Sequence, residues 1–371
     1  MFYVIAYSYS PNTADTNHNL CYLKGFSEQN IETTYVLIHP NDKRSKWEEP
    51  YKNISVMYLW ERFPSIGKNI DKSLKYLSYL IFLHLILKKQ DIVLLLGSTA
   101  YLHSLVKKRG VKVYHERTEN PEVVKVNRNK KEYFNDCSRV DGMFVISTAL
   151  RDYFISKGVS QLKIHIVNMM VDATRFEGLT KQGTEPYIAY CGTASNNKDG
   201  VDELIKAFAI TEHRHQEFKL YIIGQTPSKD QYFSNKELVK TLNIEDKVVF
   251  TGVIPSNKMP QLLKNARILA LDRPDNIQAK YGFPTKLGEY LLTENPVVVT
   301  RVGDIPFFLN HGDNALIAEP QNPQDFSDKL CWLIEHPDEA RKIGARGKNV
   351  AMNQFNYLIE SKKIISVILA D

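Results

Sequence analysis

Short runs of β-branched and aromatic residues alternate with stretches of helical period along most of the chain. Strands are predicted at 2–7, 33–38, 55–59, 92–96, 112–115, 143–147 and 165–167, several of them apolar throughout. Such runs mark strands covered on both faces, as in parallel sheets. Helical patterns at 75–87 and 149–157 lie between them. This alternation predicts an α/β, doubly wound sheet with right-handed crossovers. The polar, breaker-rich segment 180–186 interrupts the pattern, which then restarts with strands at 187–191, 219–223, 248–250, 268–271, 297–300 and 315–318. Two doubly wound Rossmann-like domains in tandem are therefore expected, residues 1–178 and 179–356, with a cleft between them as the natural ligand site. In the tail, 357–371, Ile364, Ile365, Ile368 and Leu369 form a helical stripe that needs a surface to cover. Its own domain and the first domain are both open to it. No fixed-period repeat accompanies the pattern, so a solenoid is excluded.

A chain of 371 residues fits two such domains at roughly 150 residues each. With 43% apolar and 24% charged residues it falls outside the collagenous, low-complexity and disordered classes. The formal charge is +6, but residues 1–185 carry +7 and residues 186–371 carry −1. The basic half fits an acidic partner, such as a lipid surface or a phosphate-bearing substrate, or else lysines scattered over a solvated face. No basic block with interleaved aromatics points to nucleic acid. Cys21, Cys137, Cys191 and Cys331 are too far apart for a CxxC pair, so neither a zinc site nor a disulfide framework is expected. The N-terminus enters a strand-like run without a signal-peptide pattern. The longest apolar run, 77–87, closes at Lys88-Lys89 and is about half the roughly 20 residues of a bilayer span. A cytoplasmic protein is expected, with peripheral membrane contact through the basic half as the alternative to a plain core helix.

In doubly wound sheets ligands gather at the loops beyond the carboxyl ends of the strands. The most informative loop runs Tyr281-Gly282-Phe283-Pro284-Thr285-Lys286-Leu287-Gly288-Glu289. Gly and Pro break the chain, Thr285 is placed to cap, and a helix follows to about Leu292. The first N–H groups, at Thr285, Lys286 and Leu287, would lack intrahelical partners and seat a diphosphate, with Lys286 adding a full charge. Glu289 shares that face and could accept from sugar hydroxyls. A plain capped helix with an exposed Lys and Glu is the other reading.

This stretch, with the strand from Pro296 to Thr300 and Gly303 after it, resembles the donor-site signature of the retaining GT-B glycosyltransferases of family four (glycosyl transferases group 1). Further pieces fall in that family's order: Val145-Ile146-Ser147, Val171-Asp172 with Phe176, Gly192, Lys198-Asp199-Gly200 and Phe250-Thr251-Gly252. The resemblance covers about residues 140–355 well and the first 135 only in outline. It implies that Lys198 reaches the donor diphosphate and that Thr285, Lys286 and Leu287 form the phosphate-facing helix start. Glu289 would hold the ribose, and Gly252, Val253 and Ile254 would receive the base. Three positions depart from the family pattern. Tyr281 stands where the first of two paired glutamates is usual, Thr193 replaces an arginine, and the first loop, 8–17, lacks paired glycines.

In the first domain the run His115-Glu116-Arg117-Thr118-Glu119 follows a strand. By the resemblance, His115 lies near the donor sugar; Glu116 or Glu119 would orient the acceptor, the alternative being a polar loop with a satisfied histidine. No metal-binding cluster of His, Asp and Glu is apparent. The expectation is a metal-independent, retaining glycosyltransferase acting on a UDP- or GDP-sugar and a glycan or lipid-phosphate acceptor, without a further cofactor, in surface polysaccharide or glycoconjugate synthesis. A nucleotide-sugar-binding protein on the same fold, catalytically impaired, is the alternative. A Rossmann dehydrogenase is disfavoured because no G-x-G-x-x-G follows the first strand.

Overall fold

The computed structural model describes residues 1–9, 13–38, 51–59, 77–123, 129–183 and 185–370. They form two compact units, Met1–Met170 with Tyr357–Asp371, and Val171–Asn356. The first holds strands β1 (Phe2–Ala6), β2 (Thr33–Leu37), β3 (Ile54–Tyr58), β4 (Ile92–Leu95), β5 (Lys112–Arg117), β6 (Gly142–Val145) and β7 (Ile164–Ile166). Their order across the sheet is β3-β2-β1-β4-β5-β6-β7, and every pairing is parallel. The second holds β8 (Tyr187–Cys191), β9 (Lys219–Ile223), β10 (Val248–Gly252), β11 (Ile268–Leu271), β12 (Val297–Thr300) and β13 (Leu316–Ala318), in the order β10-β9-β8-β11-β12-β13. Both orders reverse direction once, between β1 and β4 and between β8 and β11, which is where doubly wound sheets take ligands.

The expected strands are present, most within a residue or two at each end. One difference bears on function: β5 runs on to Arg117, so His115 and Glu116 are buried strand residues and not part of a loop. The helical run expected at 75–87 is seen from residue 77, since 75–76 lie outside the described residues, and it widens into a π-helix over Phe82–Ile86. Among the described residues no helix is long and apolar enough to cross a membrane.

The passage between units falls at Met170/Val171, ahead of the breaker-rich segment. The reason is local. Val171 pairs with Asn356, and Arg175, on the turn Ala173–Phe176, binds Glu289 and the Ser256 carbonyl. The tail helix, Tyr357–Ala370, packs in the first unit, burying Ile364, Ile365 and Ile368 with Phe26 and Leu23 of the Ala14–Glu28 helix. Leu369 stays 64% exposed and does not join the stripe. Gly25 lets Ser361 approach that helix, because a Cβ there would overlap the serine side chain. Glu360 is fully buried, and its Oε2 accepts from the Asn168 N–H at 2.9 Å. Glu360→Ala should therefore destabilise the protein by about 1–3 kcal/mol, the penalty of a buried N–H left without an acceptor. Glu360→Gln, which keeps an acceptor oxygen, should cost clearly less; equal melting losses for the two would contradict this.

Candidate functional site

In the second unit, three glycine turns close the carboxyl ends of neighbouring strands. Gly192 follows β8, Gly224 follows β9 and Gly252 ends β10, with φ of 148°, 125° and 66°. The Gly224 N–H donates to the Gly252 carbonyl at 3.0 Å, and a Cβ at Gly224 would run into the Gly192 carbonyl. The close backbone approach that the first loop lacks in sequence is thus built here. Gly192 and Gly252 were expected at the site; Gly224 was not, although a glycine directly after an apolar strand is the signal that would have found it.

Beside Gly192 stands Lys286. Its helix, Thr285–Leu292, has Pro284 as N-cap and no side-chain capping bond, so Thr285 is the first helical residue and not the expected cap. The Leu287 N–H is spent on the Pro284 carbonyl at 3.0 Å, which removes one of the three expected phosphate donors. Leu287 itself is fully buried, and Phe283 packs its ring against Phe308 and Phe355 at 5.4 and 5.5 Å. Phe283 and Leu287 therefore anchor the helix start, while Thr285 and Lys286 are half-buried. Gly282 and Pro284 are buried with them, and Tyr281 ends the preceding helix, Ile277–Tyr281.

The Lys286 ammonium sits 4.6 Å over the Tyr190 ring and donates to Asp199 and, at 3.0 Å, to the Tyr190 hydroxyl. That hydroxyl lies 2.6 Å from Asp199 Oδ2 and 2.7 Å from the Thr193 carbonyl. Arg273 approaches Asp199 Oδ1 at 3.8 Å. Asp199 follows β8 and Arg273 follows β11, so the cluster lies at the switch point of this sheet. Gly200 (φ 61°) makes it possible, since any Cβ there would strike the Asp272 carbonyl. Burial pushes the Lys286 ammonium below its ordinary value, against the pull of Asp199. Burial acts upward on Asp199, but Lys286 and Arg273 hold its carboxyl below the usual range. Asp272 next door is pushed up to about 8 by burial and by Glu203 and Asp202, so it is largely protonated at neutral pH. Two cations against one carboxylate leave the cluster net positive, which suits an arriving diphosphate. Tyr190, Asp199 as a partner, and Arg273 had no motif of their own in the sequence.

Lys198 lies on the short helix Asn196–Asp199, its N–H held by Ser195 Oγ at 3.2 Å and its carbonyl by Arg273 at 3.4 Å. Glu289, three residues along the helix from Lys286, is bound by Arg175, a partner that sequence reasoning missed. Thr193 and Val253 are exposed, and Ile254 half so.

The first unit gathers a different set. Arg117 donates to His115 Nδ1 at 2.9 Å. A guanidinium only donates, so the remaining His115 proton is on Nε2, facing His103 Nδ1 at 3.0 Å. Burial, then Arg117 and His103, hold His115 well below the ordinary histidine value. Both His115 nitrogens are engaged, and the ring is fully buried. Glu116 is 4% exposed and bonds His18 Nε2 at 2.9 Å and the Gly97 N–H at 3.1 Å. The fold thus joins His115 and Glu116 to His103 and His18, while Glu119 lies half-buried beyond the strand.

Residues 172–350 match the family described as Glycosyl transferases group 1. N-acetyl-alpha-D-glucosaminyl L-malate synthase of Bacillus anthracis is 29% identical over 45% of this chain and 40% of its own length. Mannosylfructose-phosphate synthase of Agrobacterium fabrum is 23% identical over 60% of this chain and 50% of its own. The chain thus spans half or less of these relatives. Among solved structures, Anabaena HepE in complex with UDP-glucose superposes with a TM-score of 0.77 at 14% identity, covering 100% of this chain and 99% of that one. Sucrose-phosphate synthase from Thermosynechococcus elongatus gives 0.75 at 13%, covering 100% and 98%. The fold is that of two Rossmann-like domains, as in GT-B proteins. The family match covers the second unit alone, and the structural likenesses bear on the fold.

Proposed function

We propose that this chain, whose second unit matches glycosyl transferases group 1, moves a sugar from a nucleotide-sugar donor to a glycan or lipid-linked acceptor with retention of configuration. The reading rests on one observation above others: Lys286 stands on the first turn of an uncapped helix, beside the glycine turn of β8, in a net-positive cluster at the switch point of the sheet. A departing nucleoside diphosphate develops negative charge at its bridging oxygen. In this reading Lys286, Lys198 and the helix N–H groups meet that charge, and preorganised donors of this kind supply the largest catalytic term. In this scheme the leaving phosphate takes the acceptor's proton on the same face, so no nucleophilic carboxylate is required, and the lysines do the work a metal would otherwise do. Glu289, steadied by Arg175, accepts from the ribose hydroxyls. A UDP-linked donor is favoured over a GDP-linked one because HepE was solved with UDP-glucose. The acceptor side belongs to the basic first unit, at the cytoplasmic face of the pathway that builds surface polysaccharide or another glycoconjugate.

Thermal unfolding with UDP-, GDP- and ADP-sugars tests the donor, since a ligand at 100 times its Kd stabilises by about 2.7 kcal/mol. A UDP-sugar should raise the midpoint and release UDP in the presence of chelator when acceptor extracts are added. No shift with any nucleotide sugar would reject the proposal. Tyr281 and Thr193, standing where the family keeps charged residues, favour a second reading as a binding protein. A donor-induced shift with no UDP released under any acceptor condition would select it.

A further inference from the structure

The second unit holds a groove that the Lys286 cluster does not use. Phe307 and Phe308, on the short helix Ile305–Phe308, line it together with Asn349, Val350, Asn353 and Gln354, on the last turns of the helix Pro337–Gln354. Its volume is about 320 Å³. The short helix is pinned from below: Ile305 is buried, and the Phe308 ring lies 5.4 Å from that of Phe283 and 5.0 Å from that of Phe355. Phe307 is left 71% exposed at the groove wall. Asn349 and Asn353 stand one turn apart on one helix face, both exposed. Among the described residues neither of their carboxamides has a hydrogen-bond partner. No lining residue is charged, and the cations of the preceding turn, Arg346 and Lys348, are paired with Asp313 and Glu294.

We infer that this groove binds a neutral sugar ring of a glycan, the C–H face of the pyranose resting on Phe307 and its hydroxyls meeting the Asn349 and Asn353 carboxamides. The volume sits at the lower end of the roughly 300–1,000 Å³ of small-molecule sites, where an aromatic wall and a few polar groups set the orientation. A carboxamide both donates and accepts, as a hydroxyl does, so the two match in either sense. An uncharged lining offers no charge-assisted bond to a phosphate or a carboxylate. Six side chains fall far short of the roughly 20–30 residues a side of a stable protein interface. Acyl chains would strip water from the carboxamides and return no hydrogen bond. Sugar binding here requires no transfer chemistry and leaves the Lys286 cluster untouched, so it can be read separately from the donor.

Saturation-transfer NMR on the full chain, without nucleotide sugar, tests this with maltotriose, cellotriose, chitotriose and mannotriose, and with trigalacturonate as the charged control. At least one neutral trisaccharide should take up saturation, strongest at the ring hydrogens of one face, and should do so more than trigalacturonate. Phe307→Ala should weaken its binding about ten-fold, the upper end for one aromatic contact, while Phe307→Trp should keep it. Asn353→Ala should weaken it about five-fold, as for one lost hydrogen bond. Both side chains are exposed, so the melting midpoint should stay where it is; Asn353→Ala decides if Phe307→Ala fails to fold. No transfer to any of the four neutral sugars, or binding that both alanine variants leave unchanged, would overturn the inference. A UDP-sugar that still raises the midpoint in those cases keeps the donor reading and rejects this groove alone.

Discussion

Lys286→Ala should lower turnover by about 100-fold or more, the loss measured when a preorganised donor to a developing oxyanion is removed. The side chain is well placed for so large an effect. Its ammonium is held by Asp199 and Tyr190 beside Gly192, so little rearrangement is needed when charge appears there. Because that charge grows in the transition state, the loss should fall mainly on kcat, with a smaller change in donor KM. Lys286→Arg should recover part of the rate, since it restores charge but not shape. Lys198→Ala should move in the same direction. Initial rates of nucleoside diphosphate release at saturating donor measure all of them. Near-normal turnover in both alanine variants would remove the phosphate seat from this helix.

How much of this was readable in the chain depended on the range of the interactions. Strand positions were legible because a strand buried on both faces must be apolar along its whole length, as at β8 and β11. The helix start at Thr285 was legible too, since Gly and Pro punctuate it. What sequence could not show was which groups its side chains would meet. Asp199 lies 87 positions from Lys286 and Arg175 lies 114 from Glu289, and only the folded sheet brings them together. The same holds for His115. As a residue near a strand end it reads as exposed and reactive; two more residues of strand bury it between Arg117 and His103. Leu287 shows a subtler miss, because a tight first turn diverted its N–H to Pro284, and no spacing rule announces that.

Asp199→Asn should cost about 3–5 kcal/mol of stability at neutral pH, the usual consequence of removing one partner of a buried ion pair. Asp199 is 2% exposed, and its loss leaves the Lys286 ammonium facing Arg273 with no carboxylate between them. The pH dependence gives the cause a signature. In the wild type the Asp199 carboxyl is held below the ordinary value, so its contribution is present above the usual carboxylate range and is lost as pH falls through the lowered value. Burial already pushes Lys286 down, and Asp199 is the main group opposing it. Without Asp199, Lys286 should shed its proton at lower pH than in the wild type. Two results follow. The stability deficit of the variant should shrink as pH rises, because a neutral amine needs no counter-ion. Its kcat/KM for donor should also fall on the alkaline side at lower pH than in the wild type, because a neutral amine no longer meets the phosphate. Denaturant unfolding and initial rates across pH measure the pair, and Asp199→Glu should restore the alkaline limb if charge is what matters. A uniform loss of activity with an unshifted profile would instead make Asp199 a packing residue, with no hold on the Lys286 proton.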